Sequence, residues 1–350
     1  MSAGIARTTG GVGPELCVED LSVAIATPAG RLQAVSGVSF SVDPSETLCL
    51  VGESGCGKTL TALSVLGLLP TNAEVTAQAI TFRGRDLRTF DARALADLRG
   101  DRIAMIFQDP MTALNPVYTI GNQMEEIYLR HGKGNQKQAR ERAEYLLHKV
   151  GISAATSRLN QYPHQLSGGL RQRAMVAMTL MCDPTLIIAD EPTTALDVTI
   201  QAQILHLLDD LQREYNMALI LITHDLGVVA RMADRVVVMY AGQVVETGTA
   251  EEIFAAPRHP YTRGLLDCIP IPGKTRPGAP LGSIPGMVPS LLSPIESCQF
   301  RNRCPQAFAD CAKAAVPLRE TAPGRADRCL LPLGAPAQPR RASEALGAAE

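Results

Sequence analysis

Residues 52–59 read GESGCGKT and fit the spacing G-x-x-x-x-G-K-[ST] at Gly52, Gly57, Lys58 and Thr59. The apolar stretch TLCLV precedes them and LTALSVLGLL follows, so the loop is expected between a buried strand and a helix. A loop in that position turns its backbone N–H groups, here including those of Ser54, Gly55 and Cys56, toward an anion at the positive end of the helix. The spacing then assigns Lys58 to the β and γ oxygens of a nucleotide and the Thr59 hydroxyl to Mg²⁺. An ordinary Gly-rich turn would not need the correct flank on both sides, and that reading is set aside.

Three further groups are placed where they could serve the same chemistry. TLIIADEP ends four apolar residues in two acids, Asp190 and Glu191, at the carboxyl end of a strand, where open α/β sheets bind their ligands. With a phosphate loop present, Asp190 is expected to order the Mg²⁺ shell and Glu191 to polarise the attacking water, rather than both being plain strand-end charges. His224 ends ALILITHD in the same way; a lone His there is more often structural, and only its company makes it a γ-phosphate sensor. Finally, in YPHQLSGGLRQRAMVA (162–177), Ser167 and two glycines stand against a helix-forming run from Leu170 to Met181. In isolation this reads as an N-cap with a flexible Gly pair; beside a phosphate loop it is a second anion site.

Nine cysteines are many for a chain with this composition. Cys17, Cys49, Cys56, Cys182 and Cys268 are scattered and read as small buried hydrophobes. Cys298, Cys304, Cys311 and Cys329 are separated by five, six and seventeen residues. No CxxC pair occurs, which weakens structural zinc, and a reducing compartment disfavours disulfides. Four thiolates without His fit a [4Fe–4S] cluster; zinc and unligated thiols remain as alternatives.

The elements that must carry these residues are legible from pattern. Residues 15–51 alternate, with Val38, Phe40 and Val42 on one face and turn signals at TPAG and DPSE, which predicts antiparallel strands. QKQARERAEYLLHKV (136–150) sets Ala139, Ala143, Leu146, Leu147 and Val150 on one helical face, before Gly151. A helix over 200–214 and the hairpin RVVVMYAGQVVETG follow, and strands separated by helices predict a largely parallel sheet. Seven prolines between Pro270 and Ser297 mark a linker, and the two ends of the chain are polar and expected to be disordered. The 350 residues carry a formal net charge of -2 with no like-charge block, so nucleic acid is not an expected partner. The longest apolar runs, LIIA and ALILI, are far short of the ~20 residues of a membrane span. The start MSAGIARTTG lacks a secretory signal, which leads to an expectation of a cytosolic location.

Taken in order, the phosphate loop, Gln108 in IFQDP, LSGG at Leu166, Ser167, Gly168 and Gly169, the acids Asp190 and Glu191, TALD at 194–197 and His224 resemble the nucleotide-binding subunits of ATP-binding cassette (ABC) transporters. The resemblance implies an α/β P-loop cassette with a mixed-sheet core, an antiparallel β subdomain and a helical subdomain, spanning 15–262. It implies a catalytic Glu191 and His224, and Mg²⁺ held by Thr59, Gln108 and Asp190. Two cassettes of this family pack head to tail, so the signature of one meets the ATP on the other's loop, and Asp197 lies at that junction. The two anion sites would then serve two nucleotides, opening and closing the pair. AAPRHPYTRGLL, the IPG…PSL linker and the cysteine tail resemble the dipeptide and oligopeptide permease branch. That implies a 263–331 extension with a small cysteine-bearing domain and the [4Fe–4S] ligand set, flanked by disordered 1–14 and 332–350. It also implies a second, probably different, ATPase subunit, two transmembrane permease subunits and an extracytoplasmic peptide-binding protein, with this chain peripheral on the cytoplasmic face. Nickel, glutathione or oligosaccharide relatives share the cassette pattern, so cargo is expected, not fixed, to be peptide. An ATPase on DNA or ribosomes would bring a second cassette or a coiled-coil insert, which the chain lacks; a redox-sensing iron–sulfur ATPase is a further alternative. Two departures stand out: VAIATPAGR offers adenine no aromatic ring, leaving Ile25 or Arg31, and Cys56 replaces the usual Ser, which predicts sensitivity to thiol reagents.

Overall fold

The computed structural model describes residues 13–194, 196–269, 282–292 and 295–332. Most of the terminal stretches, Ala195 and much of the Pro-rich linker lie outside the described residues.

The alternating N-terminal residues form β1 (Leu16–Thr27) and β2 (Gly30–Val42), an antiparallel pair joined at Thr27 and Gly30. On the other edge of β1 lie β4 (Ala73–Thr76) and β5 (Ala79–Phe82), the latter paired with β6 (Arg85–Asp86). This antiparallel sheet packs over one face of a larger one. In the larger sheet β10 (Arg235–Tyr240), β3 (Thr47–Val51), β9 (Ala218–Thr223), β8 (Leu186–Asp190) and β7 (Ile103–Ile106) run parallel. Strands buried on both faces need no alternation, and all five residues of TLCLV and of LIIAD are buried.

Alternate residues of each strand feed two cores. Leu48 and Leu50 join Leu16, Val18 and Phe40 beneath the antiparallel sheet, together with α1 (Lys58–Leu66). Cys49 and Val51 face the helical side. There α4 (Ile120–Arg130), α5 (Gln136–Lys149) and α7 (Gly168–Thr179) bury Met124, Leu146, Leu147 and Val176. Short helices α2 (Ala92–Leu98), α3 (Pro110–Ala113) and α6 (Ala155–Arg158) link these elements. The helix expected over 200–214 is α8 (Val198–Tyr215), capped by Asp197, and it precedes α9 (Leu226–Met232).

The carboxyl-terminal segment departs from expectation. After α10 (Ala250–Ala255) and α11 (Pro260–Asp267), the described chain returns to the large sheet as β12 (Arg319–Ala322) and β13 (Arg325–Asp327). β13 pairs antiparallel with β11 (Gln243–Thr249), the second strand of the expected hairpin, at Glu246 with Asp327 and Thr247 with Ala326. Phe300 lies in the helical-side core, and Cys298 and Cys304 pack against it. The cysteine-bearing segment therefore extends the cassette sheet and shares its core. A domain folded around apolar contacts of its own is not what these residues build, because their few apolar side chains are spent on the cassette.

Candidate functional site

The phosphate loop joins β3 to α1, as its flanks require. Gly52 and Gly57 have φ of 154° and 101°, and a Cβ on either would come within 2.2 Å of the Met239 carbonyl oxygen or 2.7 Å of that of Ala34. Only glycine allows the loop to nest this closely against β10 and β2. Ser54 and Gly55 form its exposed tip. The Lys58 ammonium is buried and donates to the carbonyl oxygens of Gly52 at 2.8 Å and Glu53 at 3.1 Å, which holds it inside the loop. Cys56 lies under the loop, 2% exposed, its Sγ 3.8 Å from Lys58 Nζ. Burial pushes its thiol up despite the neighbouring ammonium, so the expected sensitivity to thiol reagents is not supported: the side chain is both covered and protonated.

Thr59 and the acids of β8 meet across the sheet. The Thr59 hydroxyl donates to Asp190 Oδ1 at 3.1 Å, and burial lifts the Asp190 carboxyl above its ordinary range, opposed by that hydroxyl. A divalent cation arriving with a nucleotide would reverse that shift, and these oxygens are the hard donors Mg²⁺ takes.

Glu191 follows Asp190 with φ 43°, a left-handed conformation that costs a non-glycine residue about 1–3 kcal/mol. The bend swings its carboxylate out of the strand line into a ring of partners. Oε2 accepts from Gln108 Nε2 at 3.0 Å and from the Thr194 hydroxyl at 2.9 Å, while Oε1 lies 3.3 Å from Nδ1 of the exposed His224. β7, β8 and β9 are adjacent parallel strands, so the residues after their carboxyl ends converge on one point. Gln108 thus sits on Glu191, whereas the resemblance implies that it serves Mg²⁺.

The turn expected to form a second anion site lies on a different layer. Ser167 caps α7, its hydroxyl accepting from Leu170 N at 3.4 Å, and Leu166 anchors the turn in the core. Ser167 and Gly168 are exposed, while a Cβ at Gly169 would stand 3.0 Å from Ile200 Cγ2. The exposed Asp197 accepts from Ile200 N at 3.0 Å. Leu166, Ser167, Gly168, Gly169 and Asp197 therefore form one face around the start of α8. Of the adenine candidates, Ile25 packs against the core beneath the antiparallel sheet, and Arg31 pairs with Glu74 at 3.0 Å.

The sequence reading missed a third group. Glu53 N donates to Tyr261 Oη at 2.9 Å, and the Glu53 carboxylate pairs with Arg303. No local pattern marks Tyr261 or Arg303; only YTRG within the permease-like stretch drew notice.

Cys298, Cys304, Cys311 and Cys329 line one small cavity with His259 and Phe300. Cys298 N donates to the Cys311 carbonyl at 3.1 Å, which ties two of the cysteine turns together. Burial raises the thiols of Cys298 and Cys329, and that of Cys304 to about 11, with their cysteine neighbours adding to the shift. Among the described residues no group of three or more His, Cys, Asp and Glu side chains is arranged to hold a metal ion.

The family described as ABC transporter matches residues 35–194, and that described as oligopeptide/dipeptide transporter, C-terminal region matches residues 245–311. The dipeptide transport ATP-binding protein DppD of Bacillus subtilis is 52% identical over 297 residues, covering 85% of this chain and 88% of that protein. The chain belongs to the ABC transporter family. Within that family this ABC subunit falls in the dipeptide and oligopeptide permease branch. The oligopeptide transport ATP-binding protein OppD of Salmonella typhimurium is 48% identical over 316 residues, covering 90% of this chain and 93% of that protein. A solved dimeric structure of the ATP-binding cassette MJ0796 with ADP and Pi superposes with a TM-score of 0.58 at 26% identity, over 67% of this chain and 98% of that one. The ABC subunit is accordingly an ATPase with the cassette fold.

Proposed function

We propose that this ABC subunit energises the import of di- and oligopeptides through a membrane partner. The match of residues 245–311 to the oligopeptide/dipeptide transporter C-terminal region carries the reading, because a cassette alone is shared by importers of many cargoes. Residues 15–262 form the cassette and 263–331 the branch-specific extension. ATP lies on residues 52–59, with Lys58 on its β and γ oxygens. Thr59, Asp190 and Gln108 would hold Mg²⁺, which would supply charge neutralisation on the transferring phosphoryl group. Glu191 takes the proton of the attacking water, and His224 meets the γ-phosphate. The contacts of Glu191 with Gln108, Thr194 and His224 support this assignment.

The partners follow from the separate exposed face of Ser167 and Gly168. A second ATPase subunit, in this branch a different chain, brings its phosphate loop to that face; the dimeric state named for the MJ0796 structure supports pairing. Two permease subunits and an extracytoplasmic peptide-binding protein complete the importer. Among the described residues no helix is long and apolar enough to cross a membrane, which suits a peripheral subunit on the cytoplasmic face.

We propose that Cys298, Cys304, Cys311 and Cys329 would hold a [4Fe–4S] cluster, which requires their side chains to close from the present arrangement, in which they form no metal-holding group. Four soft donors sharing one cavity support it. A cluster would supply a covalent cross-link between segments and a redox centre; no step of ATP hydrolysis uses it.

Reconstitution with the two permeases, the partner ATPase and the binding protein tests the function. Dipeptide- or oligopeptide-loaded binding protein is expected to raise ATP turnover and peptide accumulation together. Stimulation by nickel, glutathione or an oligosaccharide in place of peptide would overturn the cargo assignment.

A further inference from the structure

Arg303 stands beside Cys304, yet its guanidinium leaves the cysteine cavity and runs to the phosphate loop. Its side chain is 4% exposed. Nη1 donates to Glu53 Oε2 at 2.6 Å and Nη2 to Glu53 Oε1 at 2.8 Å, a two-pronged charged pair. The other donors go to Tyr240 Oη at 3.3 Å and to the carbonyl oxygens of Ile284 and Pro285, each at 3.0 Å. Every guanidinium N–H is used.

Glu53 is the second residue of the loop, and it is fixed at each polar group. Besides its carboxylate, its N–H donates to Tyr261 Oη at 2.9 Å, and its carbonyl accepts from Lys58 Nζ at 3.1 Å and from Cys56 N at 3.3 Å. Tyr240 and Tyr261 both pack on Phe300, with ring centroids 5.2 and 5.4 Å away. The cysteine-bearing segment thus grips the entry of the loop twice, by Arg303 and through the aromatic rings.

We propose that Arg303 is a positioning residue for ATP binding: through Glu53 it sets the phosphate loop in its nucleotide-receiving shape, so that the cysteine-bearing segment governs the ATP affinity of this subunit. The proposal rests on residues 52–59 being the ATP loop. A loop already ordered by a buried two-pronged pair need not lose that freedom when the nucleotide arrives, and ordering costs are a main debit of binding. Glu53 touches no reacting atom in this scheme, so the effect belongs in affinity and not in the chemical step.

The test compares ATP affinity, KM, kcat and Tm of the full chain, with turnover measured in the assembled importer. Arg303→Met keeps the length and apolar packing, Arg303→Lys keeps the charge but loses the fork, and Glu53→Gln alters the half-exposed partner, which keeps the test alive should the Arg303 variants fold poorly. Arg303→Met and Glu53→Gln are each expected to weaken ATP binding and raise KM roughly tenfold, a larger change than either makes in kcat, and Arg303→Lys to fall between. The double variant Arg303→Met/Glu53→Gln is expected to bind no more weakly than the weaker single, because both act through one contact. Unchanged ATP affinity in both singles, whatever happens to Tm, overturns the proposal, as do losses that simply add. Lys58→Ala separates the two levels: it is expected to abolish ATP binding, and retained affinity there would refute the ATP loop itself.

Discussion

Glu191 combines two properties that are rarely found in a merely structural acid. It sits in a left-handed backbone conformation, and its carboxylate is met by Gln108, Thr194 and His224 from three separate strand ends. Strain of this kind persists only where surrounding contacts enforce it, and here they aim the carboxylate at the space beyond β8. Glu191→Gln keeps the shape and the acceptor oxygen but cannot take a proton. It is expected to bind ATP as the parent does and to lower turnover by roughly 10²–10⁴-fold, read from single-turnover hydrolysis in the assembled importer. Hydrolysis at the parental rate would remove Glu191 from the role. Thr194 belongs to the same ring; it was named from sequence only as the start of TALD, and nothing in that pattern marks its contact with Glu191.

At the scale of elements, what was legible depended on whether the signal was local. The strand–loop–helix unit at 47–66 and the acids ending β8 could be read from a few consecutive residues, because burial on both faces makes a continuous apolar run and chemistry follows at its carboxyl end. β12 and β13 were not legible: RETA and RAD carry no apolar alternation, and β13 is a strand only because β11 offers it an edge, as β13 in turn does for β12. For the same reason a separate cysteine domain was expected where the structure has a sheet extension. The cysteine turns themselves are held by backbone bonds and by Phe300, so the segment has packing to fall back on when no metal is bound. Protein purified without oxygen is expected to carry about four irons and four acid-labile sulfides per chain, with a broad absorption band near roughly 400 nm. Zinc, or no metal, would reject the cluster and leave four structural thiols.

At the scale of the molecule, the two stretches proposed to meet nucleotide lie on different layers, one at the loop above β3 and one at the start of α7. In the head-to-tail pair proposed above, a lesion on one face is expected to be felt at the partner's nucleotide. Ser167→Arg in this chain is expected to leave photolabelling of its own loop by an azido-ATP intact. Turnover at the partner's loop is expected to fall roughly a hundredfold, as when one transition-state donor is lost. Undiminished turnover of the pair would show that the signature face does not meet a nucleotide. Helical and sheet layers were foreseeable from periodicity; the face expected to meet a partner was named only through the family resemblance, because the exposure of Ser167 and Gly168 follows from tertiary packing.

The pairing of Glu53 with Arg303 spans 250 residues of chain. Translation delivers the amino terminus first, and domains begin to fold while the rest is still being made. The glycine loop therefore leaves the ribosome long before the arginine that steadies it, and β13 closes the sheet edge later still. A half-made subunit carries a loop without its latch. If Arg303 sets the loop, full affinity for nucleotide arrives only near the end of synthesis, and a prematurely terminated chain holds ATP more weakly than the finished one.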